Sequence, residues 1–218
     1  MSTDRRHLVI FDVDGTLLQT DCVTVPAVQR AFAAYQLPPP DKETICSFFG
    51  KSVAAYEAWI ADQCPPGKQE EIVAATNALE LQLIGESGKL YPGVINTLEQ
   101  LQQSGYALAI CSNGPEAYVQ EFLDAHKVRS FFPVVYARGA RYSGKEEMVG
   151  LILEEMTPDT FAVVGDRRDD IDGAHTWNGY GVAAAHGFGH PDEWQHADAV
   201  IHGIDEAPSC LNRLFKSV

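Results

Sequence analysis

Six short apolar runs, at residues 8–11, 106–111, 134–136, 160–165, 180–184 and 199–201, alternate with stretches of helical periodicity. Runs that stay apolar on consecutive residues suit strands covered on both faces, as parallel strands are. The stretches between them carry helical stripes: Val94, Leu98 and Leu101 behind Pro92 in a first turn; Tyr118, Phe122 and Ala125; and Val149, Ile152, Leu153 and Met156. This alternation predicts an α/β fold built on a doubly wound parallel sheet. One interval breaks it. Between Gly15 and Pro92 there is no strand pattern. Val23, Ala27, Ala31 and Ala34 form a stripe behind Asp21 as N-cap, Pro38-Pro39-Pro40 breaks it, a helix follows near residues 52–62, and Ile72, Ala75, Leu79 and Leu83 form another stripe. About 70 residues of helix is far more than an ordinary crossover needs. Residues 18–88 are therefore expected to be an inserted α-helical cap domain, with 1–17 and 89–218 forming the α/β core.

The 218 residues suit one domain with such an insertion. Sixteen Lys and Arg against thirty Asp and Glu give a net charge of −14, which argues against nucleic-acid and anionic-membrane partners. An acidic chain that handles anions must gather its positive charge locally or borrow it from a metal. Arg5 and Arg6 precede an apolar run too short for a signal-peptide core, and no stretch approaches the roughly 18 apolar residues of a membrane span. The five cysteines are odd in number and contain no Cys-x-x-Cys pair, so neither a zinc site nor a disulfide framework is expected, and the expected location is a reducing cytoplasm.

In open α/β sheets ligands bind beyond the carboxyl ends of the strands, and the chemistry-bearing residues of this chain cluster there. The first strand runs into Asp12-Val13-Asp14-Gly15-Thr16. Two carboxylates two residues apart on extended backbone share a face, and Gly15 permits a sharp turn after them. The fourth strand runs into Asp166-Arg167-Arg168-Asp169-Asp170, with Asp170 in the first turn of the next helix. Either cluster alone reads as turn or cap chemistry; together, at two strand ends of one sheet, they point to a shared hard-cation site. Ser112-Asn113-Gly114 follows the second strand, where a hydroxyl and helix-terminal amides suit a phosphate oxygen, and Lys145 sits just inside a helix. Residues 139–145 match Gly-x4-Gly-Lys, but Glu146 stands where a phosphate-binding loop needs Ser or Thr. No cysteine is followed six residues later by Arg, and no Gly-x-Ser-x-Gly elbow occurs.

Taken together, Asp12-Val-Asp14-Gly-Thr16-Leu17, Ser112 after a strand, Lys145 before a helix, and Gly165-Asp166 with Asp170 resemble the haloacid dehalogenase superfamily in its phosphatase branch. The insertion between the first two motifs, and Tyr91-Pro92-Gly93 at its end, resemble the helical-cap members similar to phosphoglycolate phosphatase and β-phosphoglucomutase. The resemblance implies a Rossmann-like core and a magnesium-dependent phosphatase acting on a small phosphorylated metabolite. Asp12 would be the nucleophile and form an aspartyl-phosphate, and Asp14 the acid and then the base. Ser112, Asn113 and Lys145 would bind the phosphoryl oxygens. Mg2+ would be held by Asp12, the Asp14 carbonyl, Asp166 and Asp170. Asp169 stands where the family often has Asn, which leaves Asp169 and Asp170 both open as metal neighbours. Arg167 and Arg168 replace small residues, either adding anion contacts or pairing on the surface. The acid at Asp14, which the dehalogenases lack, favours phosphoryl transfer. A phosphomutase and a catalytically silent magnesium- and phosphate-binding regulator are the alternatives. In the cap, Phe48-Phe49-Gly50-Lys51 fits a lid over the site with Lys51 as a substrate contact, and fits equally a core Phe pair with Lys51 in solvent.

Overall fold

The computed structural model describes residues 6–139 and 141–216. Arg5, Ala140 of the Gly139–Gly144 stretch, and the outer ends of the core segments (1–5 and 217–218) lie outside the described residues. Six strands form one wholly parallel sheet: β1 (His7–Phe11), β2 (Ala107–Ser112), β3 (Val134–Ala137), β4 (Thr160–Gly165), β5 (Tyr180–Ala184) and β6 (Ala199–Ile201). Their order is β3-β2-β1-β4-β5-β6, so the chain builds outward from β1 on one side and then returns to its other side. That switch leaves a crevice beyond the ends of β1 and β4. The register pairs Phe11 with Val164, and the Asp12 amide donates to the Val164 carbonyl at 2.9 Å, so Asp12 and Asp166 emerge side by side.

Alternate strand residues bury opposite faces. Val9, Phe11, Leu108, Ile110, Val164 and Val182 pack against α5 (Val94–Gln103), α6 (Glu116–Ala125) and α9 (Ala207–Lys216). Leu8, Ile10, Ala109, Cys111 and Val163 pack against α7 (Lys145–Met156) and α8 (Arg168–Thr176). Both faces are covered, which is why the strands read as continuous apolar runs. Among the described residues, no helix is long and apolar enough to cross a membrane, and all five cysteines are free.

Between β1 and α5 lie four helices: α1 (Asp21–Ala34), α2 (Lys42–Cys46), α3 (Val53–Asp62) and α4 (Gln69–Ser87). They share an apolar cluster of Val25, Val28, Phe32, Ile45, Phe49, Ile60 and Ile72, apart from the two sheet faces. Local details differ from the sequence expectation. Thr20 occupies the N-cap of α1 and Asp21 its first turn, where the carboxylate still faces the helix dipole. Ala34 is exposed. Pro92 precedes α5 instead of lying in its first turn; Gly93, at φ 87°, forms the cap between them. Asp41 caps the short α2, its side chain accepting from the Thr44 amide. On α4 the buried stripe is Ile72, Thr76, Glu80, Leu83 and Ile84, one position off the expected Ala75 and Leu79. The two polar residues of that stripe are satisfied locally: Thr76 Oγ1 donates to the Ile72 carbonyl, and Glu80 accepts from Tyr56 Oη.

Candidate active site

Lys145 is the centre of the strand-end cluster. It is 2 % exposed, and its Nζ lies 3.0 Å from Asp12 Oδ1 and 2.5 Å from Asp170 Oδ1. Burial alone would lower its pKa, but Asp12, Asp170 and Asp169 outweigh that and hold it well above an ordinary lysine, fully charged. It is therefore no solvated surface lysine. One buried cation between two buried carboxyls is the local concentration of positive charge that an acidic protein needs for anion chemistry.

Three carboxyls meet beyond β1 and β4. Asp12, Asp166 and Asp170 are all buried, and each offers an oxygen within 4.8 Å of the others. Burial pushes Asp12 up to about 7; Lys145 opposes this, and Asp166 and Asp14 reinforce it. Burial also raises Asp166 to about 7 and Asp170 to about 8. Asp166 Oδ2 accepts from the Phe188 amide at 2.6 Å and the Gly189 amide at 3.2 Å, while its Oδ1 is buried with no hydrogen-bond partner among the described residues. An orphaned carboxylate oxygen beside two more buried carboxyls is what a hard divalent cation relieves, so the donor set fits magnesium.

Asp14 plays a different part. Its Oδ1 accepts from Thr20 Oγ1 at 2.7 Å and from Tyr118 Oη at 2.8 Å, and it lines the cavity outside the carboxyl trio. Burial pushes its carboxyl above the usual carboxylate range, against those two hydrogen bonds and the nearby Lys145 charge. Gly15, at φ 74°, makes the turn that follows; a Cβ there would run into the Asp166 carboxylate and Phe188.

Ser112 ends β2, fully buried, with its Oγ accepting from the Gly114 amide at 3.0 Å. Asn113 Nδ2 donates to Asp169 Oδ2 at 2.7 Å and to the Gly50 carbonyl at 3.3 Å. Asp169 is thus turned towards Asn113, and Asp170 is the one that joins the trio. Lys51 sits at the mouth of the cavity, exposed, with Nζ 4.1 Å from the Phe48 ring centroid. Phe48 stacks on Trp59, and Phe49 meets Phe188 edge to face at 4.7 Å, so a ring from the cap touches a ring from the core directly over the acidic end of β4.

Arg167 pairs with an acid, as one of its two expected readings has it, but partly buried against the cap and not out at the surface. Its Nη1 donates to the Phe49 carbonyl at 2.6 Å and its Nε pairs with Glu193 at 3.0 Å. Its stem lies under Gly50, whose φ of 79° and missing Cβ allow the approach; a Cβ would come 2.7 Å from Arg167 Cγ. Arg167 fastens the cap loop to the core. Arg168 does remain at the surface, bonded to the Asp192 carbonyl. Two further features have no counterpart in the sequence reading. One is the loop after β5, where Phe188 and Gly189 donate to Asp166 and Trp194 Nε1 donates to the Asp166 carbonyl at 2.7 Å. The other is Glu80. The signal for the loop was its place after a strand; for Glu80 there was none, because its position on α4 continues a helical pattern of solvated acids.

These groups surround a cavity of about 90 Å3 lined by Asp12, Asp14, Lys145, Asn113, Tyr118 and, from the cap, Phe48, Lys51, Tyr56 and Glu80. Its volume is that of a few water molecules, which suits a small ligand.

The fold has known counterparts. The profile of the haloacid dehalogenase-like hydrolases matches residues 9–184, so the chain belongs to that family and is an enzyme of the hydrolase class. It is 28 % identical over 223 residues to phosphoglycolate phosphatase 1 of Pseudomonas aeruginosa, covering 97 % of this chain and 82 % of that one. It is 28 % identical over 193 residues to a phosphoglycolate phosphatase of Pseudomonas putida, covering 84 % and 71 %. A haloacid dehalogenase-like family hydrolase from Streptococcus pneumoniae superposes with a TM-score of 0.81 at 24 % identity, covering 96 % of this chain and 99 % of that one, a likeness of fold.

Proposed function

We propose that this chain is a magnesium-dependent phosphatase that hydrolyses a small phosphomonoester through an aspartyl-phosphate on Asp12, with residues 18–88 as the cap over its site. The observation that carries it is the pairing of Asp12 with the buried Lys145 at 3.0 Å, at a cavity that Asp14 also lines. Asp12, Asp166, Asp170 and the Asp14 carbonyl would hold Mg2+. Bound there, the ion supplies positive charge that lets anionic Asp12 and an anionic phosphate approach each other.

The residues divide the remaining work. Lys145 orients Asp12 and favours its ionised form; with Asn113 it lines the cavity that would take the phosphoryl group, and Ser112, buried behind that wall, would reach a phosphoryl oxygen only through its hydroxyl proton. A carboxylate oxygen of Asp12 attacks phosphorus; the bond to the ester oxygen breaks, and Asp14 gives its proton to the departing alkoxide. Asp14, now a base, takes a proton from the water that attacks the phosphorus of the acyl phosphate, releasing inorganic phosphate and restoring Asp12. Phe49 lines the cavity from the cap and rests edge to face on Phe188 of the core, a contact that would help limit the water reaching the intermediate.

Release of phosphate from p-nitrophenyl phosphate, measured with magnesium and again in EDTA, tests the reading. Turnover with magnesium and loss of at least about 100-fold in EDTA is the expected result. Turnover indifferent to EDTA removes the metal. Isomerisation of a sugar phosphate with no phosphate release makes the chain a mutase, and no turnover at all makes it a binding protein. The mouth of the cavity gives a further expectation. Lys51→Ala should raise KM several-fold for a substrate with a second anionic group and less for p-nitrophenyl phosphate, which lacks one. Equal effects on both would return Lys51 to the solvent.

A further inference from the structure

Glu80 is the one cavity-lining acid that the phosphatase chemistry leaves without a task. It projects from the middle of α4 and is 9 % exposed, and Tyr56 Oη donates to its Oε1 at 2.9 Å, with Thr24 as its second hydrogen-bond partner. Glu80, Tyr56, Thr24 and Tyr118 belong to the same cavity wall as Asp14, on the side where the leaving group of a phosphate ester on Asp12 must lie. We propose that Glu80 is the specificity determinant of this site: it accepts a hydrogen bond from a hydroxyl of the leaving group, so that the enzyme takes phosphate esters of small polyols and discriminates against leaving groups that carry a carboxylate. This inference rests on the phosphatase reading and extends it to the class of substrate.

Three features support the assignment. The first is charge. Among the described residues the cavity is lined by two cations, Lys145 and Lys51. Lys145 is committed to Asp12 and Asp170, and Lys51 lies outermost, over the Phe48 ring. A carboxylate placed deep in the leaving-group pocket would face Glu80 at low dielectric, with both cations of the lining engaged elsewhere. The second is hydrogen-bonding capacity. A carboxylate has about four acceptor sites, and Tyr56 and Thr24 occupy two, leaving room for a donor from the substrate. Burial pushes the Glu80 carboxyl up to about 7, with Tyr56 and Thr24 opposing, so near neutral pH a donating hydroxyl favours the ionised acceptor. The third is the wall itself. Phe48, Tyr56 and Tyr118 present ring surface, against which the C–H faces of a polyol pack while its hydroxyls reach the acids.

The relatives in Pseudomonas bear the name of an enzyme whose substrate has a carboxylate beside the ester. Glycerol phosphate and phosphoglycolate are similar in size and differ in this respect, so they form the test pair. Wild-type enzyme is expected to show at least about tenfold higher kcat/KM for glycerol phosphate. Glu80→Gln keeps the shape, removes the charge and turns one acceptor into a donor; it should shrink that ratio about tenfold or more, by raising KM for glycerol phosphate and lowering it for phosphoglycolate. A merely structural Glu80, tying α4 to Tyr56, would lower both substrates together and leave the ratio unchanged, which overturns the proposal. So does a wild-type preference for phosphoglycolate. Activity of the wild type on p-nitrophenyl phosphate separates the two levels: if it is present and the ratio does not move, only the role of Glu80 falls; if no phosphomonoester is cleaved, both readings fall.

Discussion

Asp12→Asn should lose at least about 1,000-fold in turnover of p-nitrophenyl phosphate while keeping its fold. The amide is nearly isosteric with the carboxylate, and its oxygen can still accept from Lys145 Nζ, which lies 3.0 Å from Asp12 Oδ1. What disappears is the nucleophile: a neutral amide oxygen does not form an acyl phosphate. The fold has reason to survive. Burial holds the Asp12 carboxyl near 7, so its ionised form is a strained occupant of this site in the absence of metal, and Asp170 remains to balance Lys145. Thermal unfolding in EDTA should therefore show the variant as stable as the parent or slightly more so. Acid-quenched wild type, mixed with a labelled phosphomonoester, should carry label on protein, and the variant should carry none. Residual turnover above a few per cent of the parent would take Asp12 out of the nucleophile's place.

The strands were legible because a parallel strand buried on both faces leaves few alternatives for its residues. Thr160–Gly165, Tyr180–Ala184 and Ala199–Ile201 coincide with their apolar runs, and the others differ by a residue or two at an end. The polar residues after four of those strands were legible for a related reason: a carboxylate placed where a strand leaves the core needs a partner, and two such places on one sheet imply a shared one. Asp12, Asp166, Asp170 and Lys145 do meet there. The residues after β5 obey the same rule less visibly, because Phe188 and Gly189 act through backbone amides, which carry no mark in the side-chain sequence. Arg167 is a harder case. A pair of arginines before a helix reads as surface charge, and the carbonyl that Arg167 grips belongs to Phe49, 118 residues earlier, in the cap. The stripe on α4 slipped by one position for a comparable reason. Helical periodicity assumes that buried positions are apolar, but Thr76 is buried with its hydroxyl returned to the Ile72 carbonyl and Glu80 with its carboxylate held by Tyr56.

Lys145→Met tests the electrostatic core of the site and should show in stability as well as in rate. A methionine fills much of the lysine stem's volume but removes the charge between Asp12 and Asp170, both of which are almost fully buried. Breaking a buried pair by removing one partner costs about 3–5 kcal/mol. For a chain of this length that is a fall in Tm of roughly 6–20 °C. The cost has a direction in pH. Burial raises the folded-state values of Asp12 to about 7 and Asp170 to about 8, against about 4 in the unfolded chain. The folded protein then holds protons that the unfolded chain has released, so the stability these two groups contribute is full below about pH 4 and is lost as pH rises through about 7 and 8. Lys145 limits that loss by stabilising the ionised forms, and its own charge is constant across the range because its pKa lies well above that of a free lysine. Without it both carboxyls are pushed higher still. The penalty of the variant should accordingly be largest at pH 8 and small at pH 5, where the two carboxyls are mostly protonated in the parent as well. Thermal melts of parent and variant in EDTA at the two pH values measure this difference directly. A fall in Tm of equal size at both would assign the loss to packing of the stem, and Lys145 would no longer be the charge that lets Asp12 ionise inside the protein.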